Sequence, residues 1–126
     1  MASRGSSANA KGKDFERKIS KEIASALKEE VNRTPSQERF KVRNQGDVNA
    51  RDYNSILSRF HLELKCHDTL AIPNWWKKTK DDSLNRTPVL VAHLKQSDDL
   101  VIMKLPDWLR ILHELKGYIE QEKNPD

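Results

Sequence analysis

The sequence lacks the features that define several large classes of protein. Its single cysteine, Cys66, excludes an internal disulfide and a cysteine-rich zinc site, and it suits a reducing compartment. No apolar run approaches the roughly 20 residues that a membrane-spanning helix needs. The N-terminal residues lack the apolar stretch of a secretion signal. These absences predict a cytoplasmic protein (host cytoplasm, if the source is viral) without a membrane partner. No small-molecule cofactor is expected either.

The size and composition predict one small folded domain. The chain has 126 residues, which is about the length of a single domain. Charged residues make up 33% of it, but the apolar 36% come in periodic blocks, which argues against disorder throughout. The net charge of +4 is compatible with a polyanionic partner without being diagnostic. Small domains have much surface per unit of core, and many bury an extra face by dimerising.

The chain divides into three predicted parts. Residues 1–12 are small and polar, with Arg4 and Lys11 and no acid, and they predict a flexible basic arm. This arm is either an inert leader or a segment that contacts phosphates. Residues 13–121 are predicted to form the folded domain, and residues 122–126 a frayed C-terminus.

The apolar spacing predicts a mixed β-sheet flanked by helices, an α/β fold. A first helix should bury a stripe of residues four apart, namely Phe15, Ile19, Ile23, Leu27 and Val31. Strands are predicted over 40–43, 47–50, 59–66, 88–94 and 100–104. Two more helices are predicted over 75–84 and from Pro106 onward. The last helix should bury Trp108, Leu109, Ile111, Leu112, Leu115 and Ile119.

The strand predicted over 59–66 presents an acid and an amine side by side. In a strand, residues two apart project to the same face, so Glu63 and Lys65 become neighbours while Leu64 points into the core. A carboxylate can bind Mg²⁺, and an adjacent lysine can position a metal-bound water. The backbone carbonyl of Leu64 is a further oxygen ligand in reach. By itself Glu-X-Lys is a weak signal, because a surface ion pair gives the same pattern.

Three neighbouring features strengthen the interpretation. Asp47 follows the turn Asn44-Gln45-Gly46 at the start of a short strand, where it can meet Glu63. Glu16 lies beside the buried stripe of the first helix. The helix after the Glu-X-Lys strand is aromatic and basic, as a nucleic-acid surface would be.

The ordered blocks resemble a known group of nucleases. Gly12-x-x-x-Glu16-Arg17, Phe40-x-Val42-Arg43, Gly46-Asp47-Val48 and Phe60-His61-Leu62-Glu63-Leu64-Lys65 are similar in order and content to the PD-(D/E)XK superfamily. Within it, the likeness is to small Holliday-junction resolvases of archaea and to related phage nucleases. The stretch Ile72-Pro73-x-Trp75-Trp76 resembles the helix start of phage relatives, with Lys78 where those often have glutamine.

The resemblance implies a restriction-endonuclease-like fold and a metal-dependent, structure-selective DNA endonuclease. Asp47, Glu63 and the Leu64 carbonyl would bind Mg²⁺ or Mn²⁺, Lys65 would orient the attacking water, and Glu16 would complete the site. Resolvases of this kind act as homodimers on four-way junctions. The residues predicted to bind DNA are Arg4, Lys11, Lys13, Arg17, Arg43, Trp75, Lys77, Lys78 and Lys80.

Several alternatives stay open at this point. Asp52 is the rival to Asp47, and Glu22 is the rival to Glu16. His61 and His67 lie on the same strand face as Glu63, which suggests a zinc site. The positive charge of Lys65 between them argues against zinc, because it would repel the ion. The functional alternatives are a restriction-like, nicking or gap-cleaving nuclease, a DNA-binding module without catalysis, and a protein-interaction adaptor.

Overall fold

The structure, a computed structural model, describes residues 4–34 and 46–123, with side chains from residue 10 onward. The predicted strand over 40–43 and the turn residues Asn44 and Gln45 lie outside the described residues. So do the side chains of residues 1–9 and the last three residues of the chain.

The first helix, α1, runs over Arg4–Leu27. The predicted helix start near Lys13 is therefore wrong, and helical structure extends into the segment predicted as a flexible arm. Residues such as Ala8 and Ala10 favour a helix, and no proline interrupts the segment. The predicted membership of Val31 in the helix is also wrong. Lys28 takes a left-handed conformation with φ of 55°, and the Glu29 N–H donates to the Ala24 carbonyl, which ends the helix.

A two-stranded antiparallel ribbon follows. Strand β1, Val31–Arg33, pairs with strand β2, Val48–Ala50, so that Arg33 lies opposite Val48. The short strand predicted after Gly46 is thereby confirmed, whereas β1 was not predicted. A 3₁₀ helix, Ile56–Arg59, then leads into the main sheet. The ribbon brings the segment around Asp47 to the outer edge of that sheet.

The main sheet of the described residues has three strands in the order β3–β4–β5. They are β3 (Phe60–Lys65), β4 (Thr87–His93) and β5 (Asp99–Ile102). Strands β3 and β4 are parallel, with Glu63 opposite Leu90, and β4 and β5 are antiparallel. The predicted mixed sheet is confirmed, and its strands match those predicted to within a few residues.

Helices pack on both faces of this sheet. Phe15 and Ile19 of α1 lie in one buried cluster with Leu62, Leu64 and other aliphatic residues of the strands. Helix α2, Ile72–Ser83, contacts the face that carries Glu63, and it buries Thr79 and Ser83 there. Because these side chains are small, α2 can approach the sheet closely. The alternate residues of β3 are consequently buried on both faces.

The last helix, α3, runs over Leu105–Lys123. The prediction that its apolar stripe is buried is wrong, as is the prediction that Trp108 belongs to the core. Trp108, Leu109, Leu112, Leu115 and Ile119 are all exposed, and Ile111 is half-buried. The helix contacts the domain through its other face, on which Asp107 is buried. The helix also extends to Lys123, into the segment predicted to fray.

The element order defines a small α/β domain of the restriction-endonuclease-like kind, as predicted. Across residues 4–34 and 46–123, no helix has the length and apolar character needed to cross a membrane.

Candidate active site

Gly46 sets the position of Asp47 against β3. Its φ is +71°, a conformation that favours glycine. A Cβ at this position would lie 2.5 Å from the Leu62 carbonyl oxygen and 2.8 Å from the Leu62 nitrogen. Only a residue without a side chain can bring the backbone this close to the strand. The glycine therefore explains why the acid that follows it reaches the sheet edge.

Asp47 is bound to β3 through both its backbone and its side chain. Its N–H donates to the Leu62 carbonyl at 2.7 Å, and its Oδ2 accepts from the Leu64 N–H at 2.7 Å. The residue is buried. A charge-assisted bond of this kind helps to fix the carboxylate against the strand. Asp47 thus sits at the outer edge of β3, beside the residues on either side of Glu63.

The direction of the Leu64 backbone places a further oxygen at the same edge. In an extended strand the N–H and the C=O of one residue point toward the same neighbour. Because the Leu64 N–H points to Asp47, the Leu64 carbonyl also points to the outer edge of β3 and away from β4. The Asp47 carboxylate and the Leu64 carbonyl therefore share one edge of the strand.

Glu63 lies within a cluster of three basic side chains. Its Oε1 is 3.3 Å from Lys78 Nζ and 3.8 Å from Lys65 Nζ, and its Oε2 is 3.5 Å from His61 Nε2. The separation from His61 is long for a hydrogen bond. Among the described residues, neither ring nitrogen of this buried histidine has a hydrogen-bond partner. The sheet thus holds a buried carboxylate beside an imidazole and two ammonium groups.

These neighbours keep Glu63 ionised despite its burial. Burial raises the pKa of the Glu63 carboxyl, but His61, Lys78 and Lys65 together have the larger effect and lower the pKa from 4.5 to about 2. An ionised carboxylate at neutral pH is the form that a divalent cation binds. Carboxylates with strongly perturbed pKa values are common at active sites, although structural ion pairs perturb them as well.

Glu16 is connected to the Asp47 ribbon rather than gathered with the other acids. Its Oε2 lies 3.6 Å from Arg33 Nη1, and Arg33 is opposite Val48 in the β1–β2 pairing. In the described part of the chain, no three His, Cys, Asp or Glu side chains are grouped so that they could hold a metal. Asp47, Glu63 and Glu16 therefore do not form a preassembled set of three carboxylates.

The geometry separates the predicted residues from their rivals. Asp52 is exposed, and its carboxylate accepts a hydrogen bond from the Asn54 N–H in its own loop, at 2.9 Å. Glu22 is exposed on α1, whereas the Glu16 side chain is only 14% exposed. Asp47 thus contacts β3 beside Glu63, whereas the hydrogen bond of the Asp52 carboxylate lies within its own loop.

The zinc alternative finds no support in the arrangement of the histidines. His67 is exposed and stacks on Trp75, with 5.3 Å between ring centroids. His61 is buried beside Glu63. No group of three metal-binding side chains that includes either histidine occurs in the described ranges.

The residues predicted to bind DNA fall into three sets. Lys77, Lys78 and Lys80 are exposed on α2, where Trp75 and Trp76 are both half-buried. Lys11, Lys13 and Arg17 are exposed on α1; Lys11 pairs with Asp68 at 2.8 Å and Arg17 with Asp14 at 3.1 Å. Arg43 and the side chain of Arg4 lie outside the described residues.

Three contacts of the site were not predicted from the sequence. Lys78 was assigned to phosphate binding, but it reaches Glu63. His61 was considered only as a zinc ligand, but it lies close to the Glu63 carboxylate. The sequence does contain a signal for this contact, because the alternation of the strand places His61 on the same face as Glu63. Nothing in the sequence indicates the ion pair of Arg33 with Glu16, because the strand that carries Arg33 was not predicted.

The mixed sheet, the strand bearing Glu63-Leu64-Lys65 and the aspartate at its edge define the PD-(D/E)XK class of nucleases. A family model described as "Phage putative PDDEXK endonuclease" matches residues 7–123, and the chain belongs to this family. The family name indicates endonuclease activity and a link to phages, and PD-(D/E)XK nucleases generally use divalent metals. No curated protein and no solved structure matched the chain.

Proposed function

We propose that this chain is a Mg²⁺- or Mn²⁺-dependent endodeoxyribonuclease that cuts branched DNA, specifically four-way junctions, as a homodimer in the cytoplasm of a host cell. One observation carries the catalytic part of the proposal. The buried and ionised Glu63 has its Oε1 3.8 Å from Lys65 Nζ, and the N–H of the next residue, Leu64, donates to the Asp47 carboxylate.

The donor set fits a hard divalent cation. Asp47, Glu63 and the Leu64 carbonyl would supply oxygen ligands, which Mg²⁺ and Mn²⁺ prefer over sulfur or nitrogen. Asp47 and the Leu64 carbonyl share one strand edge, and Glu63 is ionised. The Glu63 carboxylate would have to exchange its contact with Lys78 for the metal. When bound, the metal would polarise the scissile phosphodiester and lower the pKa of an attacking water.

The other side chains have roles that follow from their positions. Lys65 would orient the attacking water and offset negative charge that develops on the phosphate. Lys78, once released from Glu63, would be available to a DNA phosphate together with Lys77 and Lys80 on the same helix. Glu16 would act through Arg33 by holding the ribbon that carries Asp47, and we therefore propose it as a positioning residue.

The junction substrate and the homodimer rest on the resemblance to resolvases. Two active sites related by a twofold axis would allow paired cuts in strands of opposite polarity. The exposed basic residues of α1 and α2 would contact the phosphates of branched DNA.

Cleavage of a matched panel of DNAs tests the proposal. Purified protein is incubated with synthetic four-way junction, flap, gapped and linear duplex DNA, with Mg²⁺ or with EDTA. We expect Mg²⁺-dependent paired cuts in the junction and little cutting of linear duplex. Preferential cutting of duplex or gapped DNA would replace the junction substrate by the restriction-like or gap-cleaving alternative.

The variant Glu63→Gln tests whether the Glu63 carboxylate is needed for cleavage. It should lower the cleavage rate by on the order of 100-fold or more, since a metal ligand contributes several kcal/mol to transition-state stabilisation. Junction binding should be retained. Glu22→Gln, which removes an exposed acid from α1, is the control and should cleave normally. A wild-type protein that binds DNA but never cleaves it would instead be a binding module.

A further inference from the structure

Helix α3 turns an apolar stripe away from the domain. Six large apolar residues spaced three and four apart lie along one side and are between 40% and 63% exposed: Leu105, Trp108, Leu109, Leu112, Leu115 and Ile119. The opposite side of the helix faces the domain. There Asp107, Arg110, Ile111 and Glu114 line a cavity together with Ile56, Arg59, Phe60 and Thr87. Glu114 also pairs with Arg59 at 3.3 Å.

This orientation is the reverse of what an amphipathic surface helix adopts, because such a helix normally faces its apolar stripe to its own core. With roughly 200 Å² for a fully exposed large side chain, the six residues leave about 600 Å² of apolar surface open. Contiguous patches of this size are rare on monomers and mark interaction sites. Two such patches would bury about 1,200 Å² together, which reaches the lower end of specific interfaces.

The order of residues along the stripe makes it complementary to a second copy of itself. An antiparallel pair of α3 helices centred on Leu112 sets residues equally far before and after Leu112 at the same level. Leu105 then meets Ile119, Leu109 meets Leu115 and Leu112 meets its own copy, so these five residues face apolar residues.

The charges near the stripe favour the same arrangement. In the antiparallel pair, Lys104 of one copy lies level with Glu120 of the other. Lys116 lies level with Trp108, where its charge can contact the aromatic ring. A parallel pair would instead set Lys116 against Lys116 and Glu120 against Glu120. Within one copy, Lys116 Nζ and Glu120 Oε1 are 3.8 Å apart.

We propose that α3 is a dimer interface, in which two copies of this chain pack their apolar stripes antiparallel about Leu112. This inference rests on the homodimer of the proposed function and assigns its surface. The test of the interface needs neither metal nor DNA. The dimer interface can therefore be disproved while the nuclease activity stands, and the nuclease activity can be disproved while the interface stands.

Light scattering coupled to size exclusion measures the oligomeric state of the full chain. We expect the wild-type protein at tens of micromolar to show twice the monomer mass of 14.6 kDa. Leu112→Glu places two carboxylates at the centre of the interface and should weaken dimerisation by roughly 30-fold or more, as at an interface hot spot. Tyr53→Glu, at an exposed aromatic residue outside α3, is the control and should stay dimeric.

A disulfide trap decides the arrangement even where Leu112→Glu fails to fold. In a chain with Cys66→Ala, mild oxidation of Leu112→Cys should give a covalent dimer, because Leu112 meets itself across the axis. Gln121→Cys, on the opposite side of the helix, should stay monomeric on a non-reducing gel. A monomeric wild-type protein would overturn the proposal and assign the stripe to another occupant. So would a wild-type dimer whose Leu112→Cys variant forms no disulfide.

Discussion

Replacing Lys78 by methionine should strengthen the binding of a divalent metal to the candidate site. Lys78 Nζ lies 3.3 Å from Glu63 Oε1, so the ammonium occupies the carboxylate that a metal would need. Methionine keeps an unbranched apolar side chain of similar length along α2 and removes the charge. The change therefore releases Glu63 without removing the packing of the helix against the sheet.

The size of the effect follows from the separation and the exposure of the two charges. Opposite unit charges 3.3 Å apart attract by about 1 kcal/mol in bulk water and by about 5 kcal/mol at an effective dielectric constant of roughly 20. The Lys78 side chain is 57% exposed, so solvent screening favours the lower value. About 1 kcal/mol corresponds to roughly fivefold tighter binding of Mn²⁺.

Titration calorimetry with Mn²⁺ at neutral pH, in the absence of DNA, measures this affinity. Lys77→Met is the matched control, because it removes the same charge from the same helix, and among the described side chains Glu63 forms ion pairs with His61, Lys65 and Lys78 but not with Lys77. We expect tighter binding in the Lys78 variant only. An affinity equal to or weaker than that of the Lys77 variant would refute the idea that Lys78 and the metal compete for Glu63.

Three further predictions concern the fold around the site. The folded-state pKa of Glu63 is lowered from 4.5 to about 2, so the stability it contributes is complete above pH 4.5 and is lost as the pH falls toward 2. Urea unfolding should show a loss on the order of 3 kcal/mol in the free energy of unfolding over this pH range. The free energy of unfolding of Glu63→Gln should depend less on pH, and an equal pH dependence in the two proteins would contradict the prediction. Asp47→Asn keeps an acceptor for the Leu64 N–H and should abolish cleavage at little cost in stability, whereas Asp47→Ala should also destabilise the fold by about 1–3 kcal/mol. Gly46→Ala should cost about 2 kcal/mol or more, because of its left-handed conformation and the clash with Leu62, and a wild-type unfolding midpoint would refute this.

The local pattern of the sequence was sufficient to predict the strand with Glu63 and Lys65. Alternation with a period of two reports which side chains share a face, and this property is independent of the rest of the fold. The placement of Asp47 was also predictable, because a glycine in a turn followed by a short strand delivers the next residue to the sheet edge. The resemblance to PD-(D/E)XK nucleases supported both predictions, because the motifs around Glu16, Asp47 and Glu63 occur in the same order in that superfamily.

The contacts that depend on tertiary packing were not predictable in the same way. The burial of His61 and the reach of Lys78 to Glu63 depend on how closely α2 approaches the sheet, which small side chains at Thr79 and Ser83 permit. The end of α1 at Leu27 carries no glycine signal, since Lys28 takes the left-handed position.

The outward orientation of α3 illustrates a limit of hydrophobic periodicity. The spacing of its apolar residues correctly predicts a helix with one apolar side. It does not tell whether that side is covered by the helix's own domain or by a second molecule. The assumption that the stripe faces its own core placed Trp108 there, whereas the polar side with Asp107 and Glu114 contacts the domain.

Anomalous diffraction from a crystal soaked in Mn²⁺ tests the central claim most directly. We predict a Mn²⁺ peak within about 2.2 Å of oxygens from Asp47, Glu63 and the Leu64 carbonyl. A peak bound elsewhere on the chain, or a site that stays empty while Lys78 keeps its contact with Glu63 at saturating Mn²⁺, would contradict the account.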